Sequence, residues 1–383
     1  MDLTRLDFPA GIEQYKLQAE SLAEAKEAGD SQAIQLIHHT HPRFLNPDVP
    51  WLPLPIPEKE IRTADFTIDD ARLSIARWYN FRDWIAIEQF TEEVARSGSP
   101  VHRFESAVEA VVDGNAGELR SLIKRDPQLV KARSTRITHF DPPLHRSTLL
   151  HYVAANGVEG YRQRTPKNAV EIATILLQEG AEVDSLASLY GGECTTMTLL
   201  VSSCHPANAG VQVDLVNTLV EYGAAVEPSG SGNWASPLMT AIAFGYLDAA
   251  KALVRHGARV DTLSAAAGLG EISRAVELLP LADPGQRHRA LAVSAQLGHV
   301  EIVKLLLDAG EDPNRFNPKD THDHSLPIHQ AIARGHFDVV RLLIERGAKL
   351  DIKDKVHHGT PFGWADYCGK AEIAKYLRSL GAE

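Results

Sequence analysis

Cysteine is nearly missing from this chain, with 3 in 383 residues, at positions 194, 204 and 368. A small, odd and scattered set cannot make the paired framework of a disulfide-stapled secreted fold, and it points to a reducing compartment. No apolar run approaches the roughly 18 residues that a membrane-spanning helix needs. The opening Met1-Asp2-Leu3-Thr4-Arg5 also lacks the basic-then-apolar order of a secretory signal. A cytoplasmic protein with no membrane partner is the expectation. Positive charge is in short supply too, since 39 Lys and Arg face 50 Asp and Glu for a net charge of −11. That excludes a broad basic surface for phosphate backbones, so no nucleic-acid partner is expected and a basic protein partner fits better. Hydrophobic residues at 44% and charged residues at 23% leave no room for long disordered tails.

What the chain does have is self-similarity. Val170-Glu171-Ile172-Ala173 runs to Gly180-Ala181, and Val213-Asp214-Leu215-Val216 runs to Gly223-Ala224 in the same phase. Four further stretches follow the pattern, Leu247-Asp248 to Gly257-Ala258, Val300-Glu301 to Gly310-Glu311, Phe337-Asp338 to Gly347-Ala348 and Ala371-Glu372 to Gly381-Ala382. Within each, apolar residues such as Ile302, Leu305 and Leu306 fall at helical spacing, and the closing glycine supplies the left-handed residue that stops the helix. Upstream of each lies a shorter helix opened by phrases such as Thr148-Leu149-Leu150-His151, Ser236-Pro237-Leu238-Met239, Leu326-Pro327-Ile328-His329 and Thr360-Pro361-Phe362-Gly363. Proline suits a first helical turn, where its missing N–H has no helical partner to lose. The histidines at 151 and 329 are expected to knit turn to helix.

Two antiparallel helices and a turn returning about every 33 residues resemble the ankyrin repeat. The resemblance covers residues 104 to 383 and implies an all-α ankyrin-repeat solenoid behind an N-terminal helical cap. Residues 1–100 form the cap and 101–383 an array of about eight units, one of them abbreviated over 261–286. Within the first hundred residues, 12–28 read as a helix and Gly29-Asp30 opens a second. A Pro-rich connector over 42–60 follows, with Trp51 and Leu52 as its anchors. Two more helices then flank a turn at Asn80-Phe81, with Trp78, Phe81 and Trp84 facing inward. Helix, turn and helix suggest a DNA reader, but Asp83, Glu88, Glu92 and Glu93 would repel phosphate.

A narrower likeness rests on the strings from Leu149 to Gln163, on Tyr190-Gly191-Gly192-Glu193-Cys194-Thr195-Thr196, on His205-Pro206 and on Ala209 to Gln212. Together with Asp70 to Arg77 these resemble a group of bacterial ankyrin-repeat proteins without an established activity, which implies a bacterial, intracellular setting. Where that group carries three glycines after the aromatic, this chain has Gly191-Gly192-Glu193.

Long insertions in a solenoid need a reason, because the array stacks with short turns. Insertions at 158–168 and 185–212 fall in consecutive units and are expected to emerge side by side. A candidate pocket there gathers His151, Tyr152, Asn156, Glu159, Tyr161, Arg162, Gln163 and Arg164 from the first unit. The second contributes Tyr190, Thr195, Thr196, His205 and Gln212. Arg162 and Arg164 would grip a small anionic ligand and His205 or Glu159 would handle a proton. The competing reading pairs those arginines with local carboxylates as a structural brace. A candidate protein interface runs along the concave side through Asn233, Trp234, Phe244, Asp323, His324, Arg334, His357, His358, Trp364 and Tyr367. His322 and His324 with His357 and His358 raise the thought of a metal, but no strong zinc spacing is present, so no metal and no cofactor are expected. Cys204 and His205 are adjacent and point apart, and Gly191-Gly192 lacks the lysine of a phosphate loop, so catalysis is not the favoured reading. The leading expectation is a scaffold that binds a partner protein on an acidic concave face, neutralising a toxin or effector. The alternative is a small-molecule binder or enzyme using the insertions.

Overall fold

The computed structural model describes residues 4–155, 159–228, 231, 235–319 and 321–382. Their contacts gather into two compact units, Met1–Ala224 and Ala225–Glu383. Among the described residues the only strand pair is β1 (Ala187–Leu189) with β2 (Gly192–Cys194), an antiparallel hairpin.

The first unit opens with α1 (Ile12–Glu27), α2 (Ser31–Thr40), α3 (Glu58–Thr63), α4 (Ile68–Trp78) and α5 (Trp84–Ala95). Each start has a local cause. The Asp30 carboxylate accepts from the N–H groups of Gln32 and Ala33, Thr67 and Asp70 cap α4 reciprocally, and Asp83 accepts from Ala86 N. Tyr15, Leu22, Ile34, Ile37, Ile61, Ile75, Tyr79, Phe81 and Ile87 meet in one core. Each aliphatic side chain buried there stabilises by about 1.5–3 kcal/mol. The Pro-rich stretch doubles back instead of lying extended. Leu45 runs antiparallel to Pro53, and Asn46 N donates to Leu52 O at 2.8 Å. Its anchor is Phe44, 7% exposed, whereas Trp51 is 76% exposed and anchors nothing. Trp78 and Trp84 are half-buried beside the buried Phe81.

The repeats of this unit are α6 (Pro100–Val112) with α7 (Ala116–Arg125), α8 (Leu149–Val153) with α9 (Ala169–Gln178), and α10 (Thr196–Leu200) with α12 (Gln212–Glu221), the short α11 (Cys204–Asn208) between the last two. Helix α6 packs on α5, so the helical cap and the first repeats share one compact unit.

Among its described residues the second unit holds five pairs: α13 (Pro237–Phe244) with α14 (Leu247–Arg255), α15 (Leu263–Leu269) with α16 (Ile272–Leu278), α17 (Pro284–Leu297) with α18 (Val300–Asp308), α19 (Pro327–Arg334) with α20 (Phe337–Glu345), and α21 (Pro361–Tyr367) with α22 (Ala371–Ser379). The first helices of the pairs stack in file from α13 to α21. Proline begins α13, α17, α19 and α21, as the sequence pattern requires. A repeated joint locks neighbouring layers. His299 donates from Nε2 to Gly268 O at 3.0 Å and His336 from Nε2 to Gln296 O at 3.0 Å. Each imidazole lies over a glycine of the preceding layer, such that a Cβ on Gly270 would sit 2.8 Å from His299 and one on Gly298 2.6 Å from His336. Both glycines also have φ near +80° (+78° and +81°), so no other residue suits these two corners.

Candidate functional site

The first insertion forms a buried ion cluster. Its short 3₁₀ turn, Gly160–Arg162, turns the Arg162 side chain inward, where it is 2% exposed. Arg162 Nε donates to Glu109 Oε1 at 2.8 Å, and Nη1 donates to Glu105 Oε2 at 2.6 Å and Glu159 Oε2 at 2.8 Å. Glu159 also accepts from the Tyr152 hydroxyl at 2.7 Å and from His145 Nε2 at 3.2 Å. Arg136, equally buried, lies 3.5 Å from Glu159, donates to Tyr79 O at 2.7 Å and reaches the Tyr161 hydroxyl. At the exposed rim Arg164 Nε donates to Asp113 at 3.0 Å and Nη2 to Glu109 at 3.3 Å.

Burial alone would raise the Glu159 carboxyl, but the guanidiniums of Arg136 and Arg162, with His145, hold it well below the usual carboxylate range. Glu105 has less compensation. Burial pushes it up against the pull of Arg162, and neighbouring Glu159 pushes the same way. Arg162 stays charged, because the phenol of Tyr161 and the carboxylates outweigh its burial. Buried charges of this kind persist only when fully paired.

The other predicted pocket residues are occupied locally. His151, 3% exposed, accepts at Nδ1 from Thr148 N at 3.1 Å and places Nε2 3.3 Å from Cys194 O. Burial drives its pKa down to about 4. Thr195 caps α10 by accepting from Thr198 N at 3.3 Å, and Thr196 is buried behind it. Gln212 donates from Nε2 to Leu200 O at 2.9 Å and Ser203 O at 3.2 Å, bracing the second insertion against itself. Gln163 N closes the 3₁₀ turn on Gly160 O, and His205 lies half-buried in α11. Tyr190 stands at the β1–β2 tip with φ +54° and 49% exposure. Asn156 lies outside the described residues. The second insertion is tied to the end of the preceding repeat's first helix, where Ser203 Oγ donates to Ala155 O at 3.0 Å. Arg162 and Arg164, however, turn to the carboxylates of α6 and not toward His205 and Gln212. The charged groups expected to line an anion-binding pocket are therefore already paired with carboxylates, as the brace reading has them.

Sequence reading missed the partners Glu105, Glu109, Arg136 and His145. A signal was present. Glu105, Glu109 and Asp113 recur every fourth residue along α6 and its end, a row of like charges that destabilises a helix unless cations meet it.

In the second unit, α21 and the turns before α19 and α21 bring several predicted interface residues together. The His324 ring stacks on Trp364 at 6.1 Å, His357 lies 6.3 Å from His324, and His322 is 6.0 Å from His324. Trp364 is fixed by Asp354, a residue the sequence reading passed over. Asp354 is 1% exposed and accepts from Val356 N, His357 N, Gly359 N and Trp364 Nε1 at 2.7–2.9 Å. Burial opposes its ionisation, but the His357 N–H and the Trp364 indole hold its pKa below the usual value. Tyr367, three residues beyond Trp364, is 92% exposed. His358 is exposed with φ +53°, and Asp323 is exposed and accepts at its carbonyl from Lys355 Nζ at 3.2 Å. Arg334 donates to Phe244 O at 3.1 Å, so these two predicted residues serve each other. Asn233 and Trp234 lie outside the described residues. Among the described residues no three His, Cys, Asp or Glu side chains gather in a metal-holding arrangement. None of the described helices is long and apolar enough to cross a membrane.

The two units differ in charge. Residues 1–224 hold 31 Asp and Glu against 21 Lys and Arg, whereas residues 225–383 hold 19 against 18. The negative excess belongs to the first unit.

Filed helix pairs with glycine corners and His–carbonyl joints define a helical repeat protein. A family model for ankyrin repeats, in three copies, matches residues 263–354 and 291–383. A mouse ankyrin repeat and SAM domain-containing protein 6 is 36% identical over 104 residues, 27% of this chain and 11% of that protein. The nematode (Caenorhabditis elegans) ankyrin repeat and KH domain-containing protein mask-1 is 28% identical over 221 residues, 56% of this chain and 8% of that protein. The match thus spans about a tenth of the length of these relatives. Cyclin-dependent kinase inhibitor 2A of Monodelphis domestica is 31% identical over 124 residues, 31% of this chain and 70% of that protein. The solved human ASB11 ankyrin repeat domain aligns with a TM-score of 0.35 at 19% identity, over 70% of this chain and 96% of that one. The chain belongs to the ankyrin-repeat family. Repeats of this kind present extended surfaces that bind other proteins.

Proposed function

We propose that this chain is a protein-binding scaffold that holds its partner on the face of the second unit made by His324, His357, Trp364 and Tyr367. The observation that carries this is Tyr367, an almost fully exposed aromatic one helical turn from an indole pinned by a buried carboxylate. Trp and Tyr are the residues in which interface energy concentrates. A rigid platform also lowers the ordering cost of association. With 19 acidic and 18 basic residues in 225–383, this unit as a whole carries little net charge, and the aromatic residues of the face supply the contact. A standard interface of about 800 Å² per partner needs several repeats, and five pairs stand in file here.

The finer reading is that the partner is a toxin or effector silenced by occlusion. It draws support from the relatives named as kinase inhibitors, which by name act by restraining another protein. A bacterial, cytoplasmic setting belongs to the same proposal, supported by three free cysteines and by the strings around 149–163 and 190–196. The test is affinity capture with the full chain beside Tyr367→Ala and His357→Ala. One saturable protein partner whose affinity falls at least about tenfold in Tyr367→Ala, with helicity unchanged, is the expected result. A partner held equally by all three chains would place the binding surface elsewhere.

A further inference from the structure

Residues 4–11 form no helix or strand, yet they are pinned at several points to groups far along the chain. Arg5 Nη2 donates to Trp78 O at 3.2 Å, and its guanidinium carbon lies 5.3 Å from the Trp78 ring centre and 5.5 Å from that of Tyr161. Leu6 N donates to the Tyr79 hydroxyl at 2.7 Å, and that hydroxyl donates onward to Gln18 Oε1 at 3.0 Å. Gln18 Nε2 donates in turn to Thr4 O at 2.8 Å.

The slot thus recognises one guanidinium by two aromatic faces and a carbonyl, and one backbone N–H by a phenol. Both distances to ring centres fall inside the range of about 6 Å over which a cation is attracted to a ring face. Apart from the Arg5 guanidinium these contacts use only the backbone of Thr4 and Leu6, so an extended Arg-containing segment of another chain offers the same groups. We propose that Trp78, Tyr79 and Tyr161 form a binding slot for an arginine-bearing extended peptide, filled in cis by Arg5 until such a segment displaces it.

Two observations favour exchange over permanent closure. Among the described residues no carboxylate pairs with Arg5, and Arg136, whose guanidinium is 5.1 Å from the other neighbour of that cation, the Tyr161 ring, repels it. No residue of 4–11 is fully buried, so the segment lies on the surface of the core, with Leu6 and Ala10 packed against it and Thr4, Asp7 and Pro9 exposed. The acidic excess of residues 1–224 also draws cationic segments toward this unit. This slot lies in the first unit and is separate from the partner face proposed on the second.

The test uses the full chain, its Arg5→Ala variant and a fluorescent peptide with the sequence of residues 4–10, read by anisotropy. The intact chain keeps the slot occupied, so Arg5→Ala binds the peptide at least about tenfold more tightly, in proportion to the freed fraction. The same peptide with alanine at the arginine position loses that gain. Leu6→Pro, which removes the N–H held by Tyr79 and leaves the rings untouched, is the second means of freeing the slot. Equal affinity for both peptides, equal binding by the intact and freed chains, or no binding by folded Arg5→Ala and Leu6→Pro chains overturns the proposal.

Discussion

Arg162 sits where a single side chain decides whether several charges are tolerable. Replacing it with methionine leaves the buried Glu159 with Arg136 and His145, leaves Glu109 with Arg164 at the rim, and takes from the buried Glu105 the cation that pairs with it. Breaking a buried ion cluster by removing one partner costs about 3–5 kcal/mol. Arg162→Met is therefore expected to lower the urea midpoint by that equivalent. Adding Glu105→Leu to Arg162→Met recovers part of the loss, since a buried carboxylate goes with it. If Arg162→Met alone unfolds at the wild-type midpoint, the cluster does not hold the insertion. Histidine gives the pH counterpart. His151 and His329 are held neutral down to about 4 by burial, while in the unfolded chain they take up protons near 6.5. The unfolded state thus binds more protons between those values, and stability is full above 6.5 and declines as pH falls toward 4. Asp354 and Glu159, with depressed pKa values, act in the same sense, losing their contribution as pH drops through and below the ordinary carboxylate range. Thermal melting across pH 4 to 6.5 should show this decline, and His151→Gln with His329→Gln should flatten it.

Among the elements, the helices were legible because each carries its own instructions: apolar residues at helical spacing, Asp30, Thr67 and Asp83 at starts, proline in the first turns and glycine at the corners. The Pro-rich stretch was less so. Proline content predicts an extended backbone, but Asn46 folds the loop on itself with its side chain accepting from Asp48 N at 2.8 Å, and Trp51 ends at the outside. The pocket was illegible for a different reason. Spacing places two insertions in neighbouring layers, but the direction of Arg162 depends on acids over fifty residues earlier in α6, which only the folded chain brings into range. The hairpin tip allows a direct test of whether an element is shaped by stability alone. Tyr190 adopts φ +54°, where a side chain costs roughly 1–2 kcal/mol. Tyr190→Gly should raise the unfolding free energy by about 1 kcal/mol. An unchanged or lower value would mean that the exposed ring contributes packing of its own.

At the scale of the molecule, stability in a file of repeats is a sum of layer and joint contributions, so damage stays local near an end. Ala365 is fully buried in α21, which packs against α19 and α22. Ala365→Asp is expected to expose the amides of α21 and α22 to hydrogen exchange while those of α13 and α14 keep their protection. Simultaneous loss of protection in all five pairs would show instead that the second unit unfolds as one.

The paired imidazole joints carry a consequence for how such a chain lengthens. His299 meets the carbonyl of Gly268 as His336 meets that of Gln296, each over a glycine corner. A layer cut between two such joints presents the same plug on one side and the same socket on the other. Copying or deleting the segment from one corner to the next therefore needs no new lock, and a gene encoding this file can grow or shrink in whole layers while every remaining joint still closes.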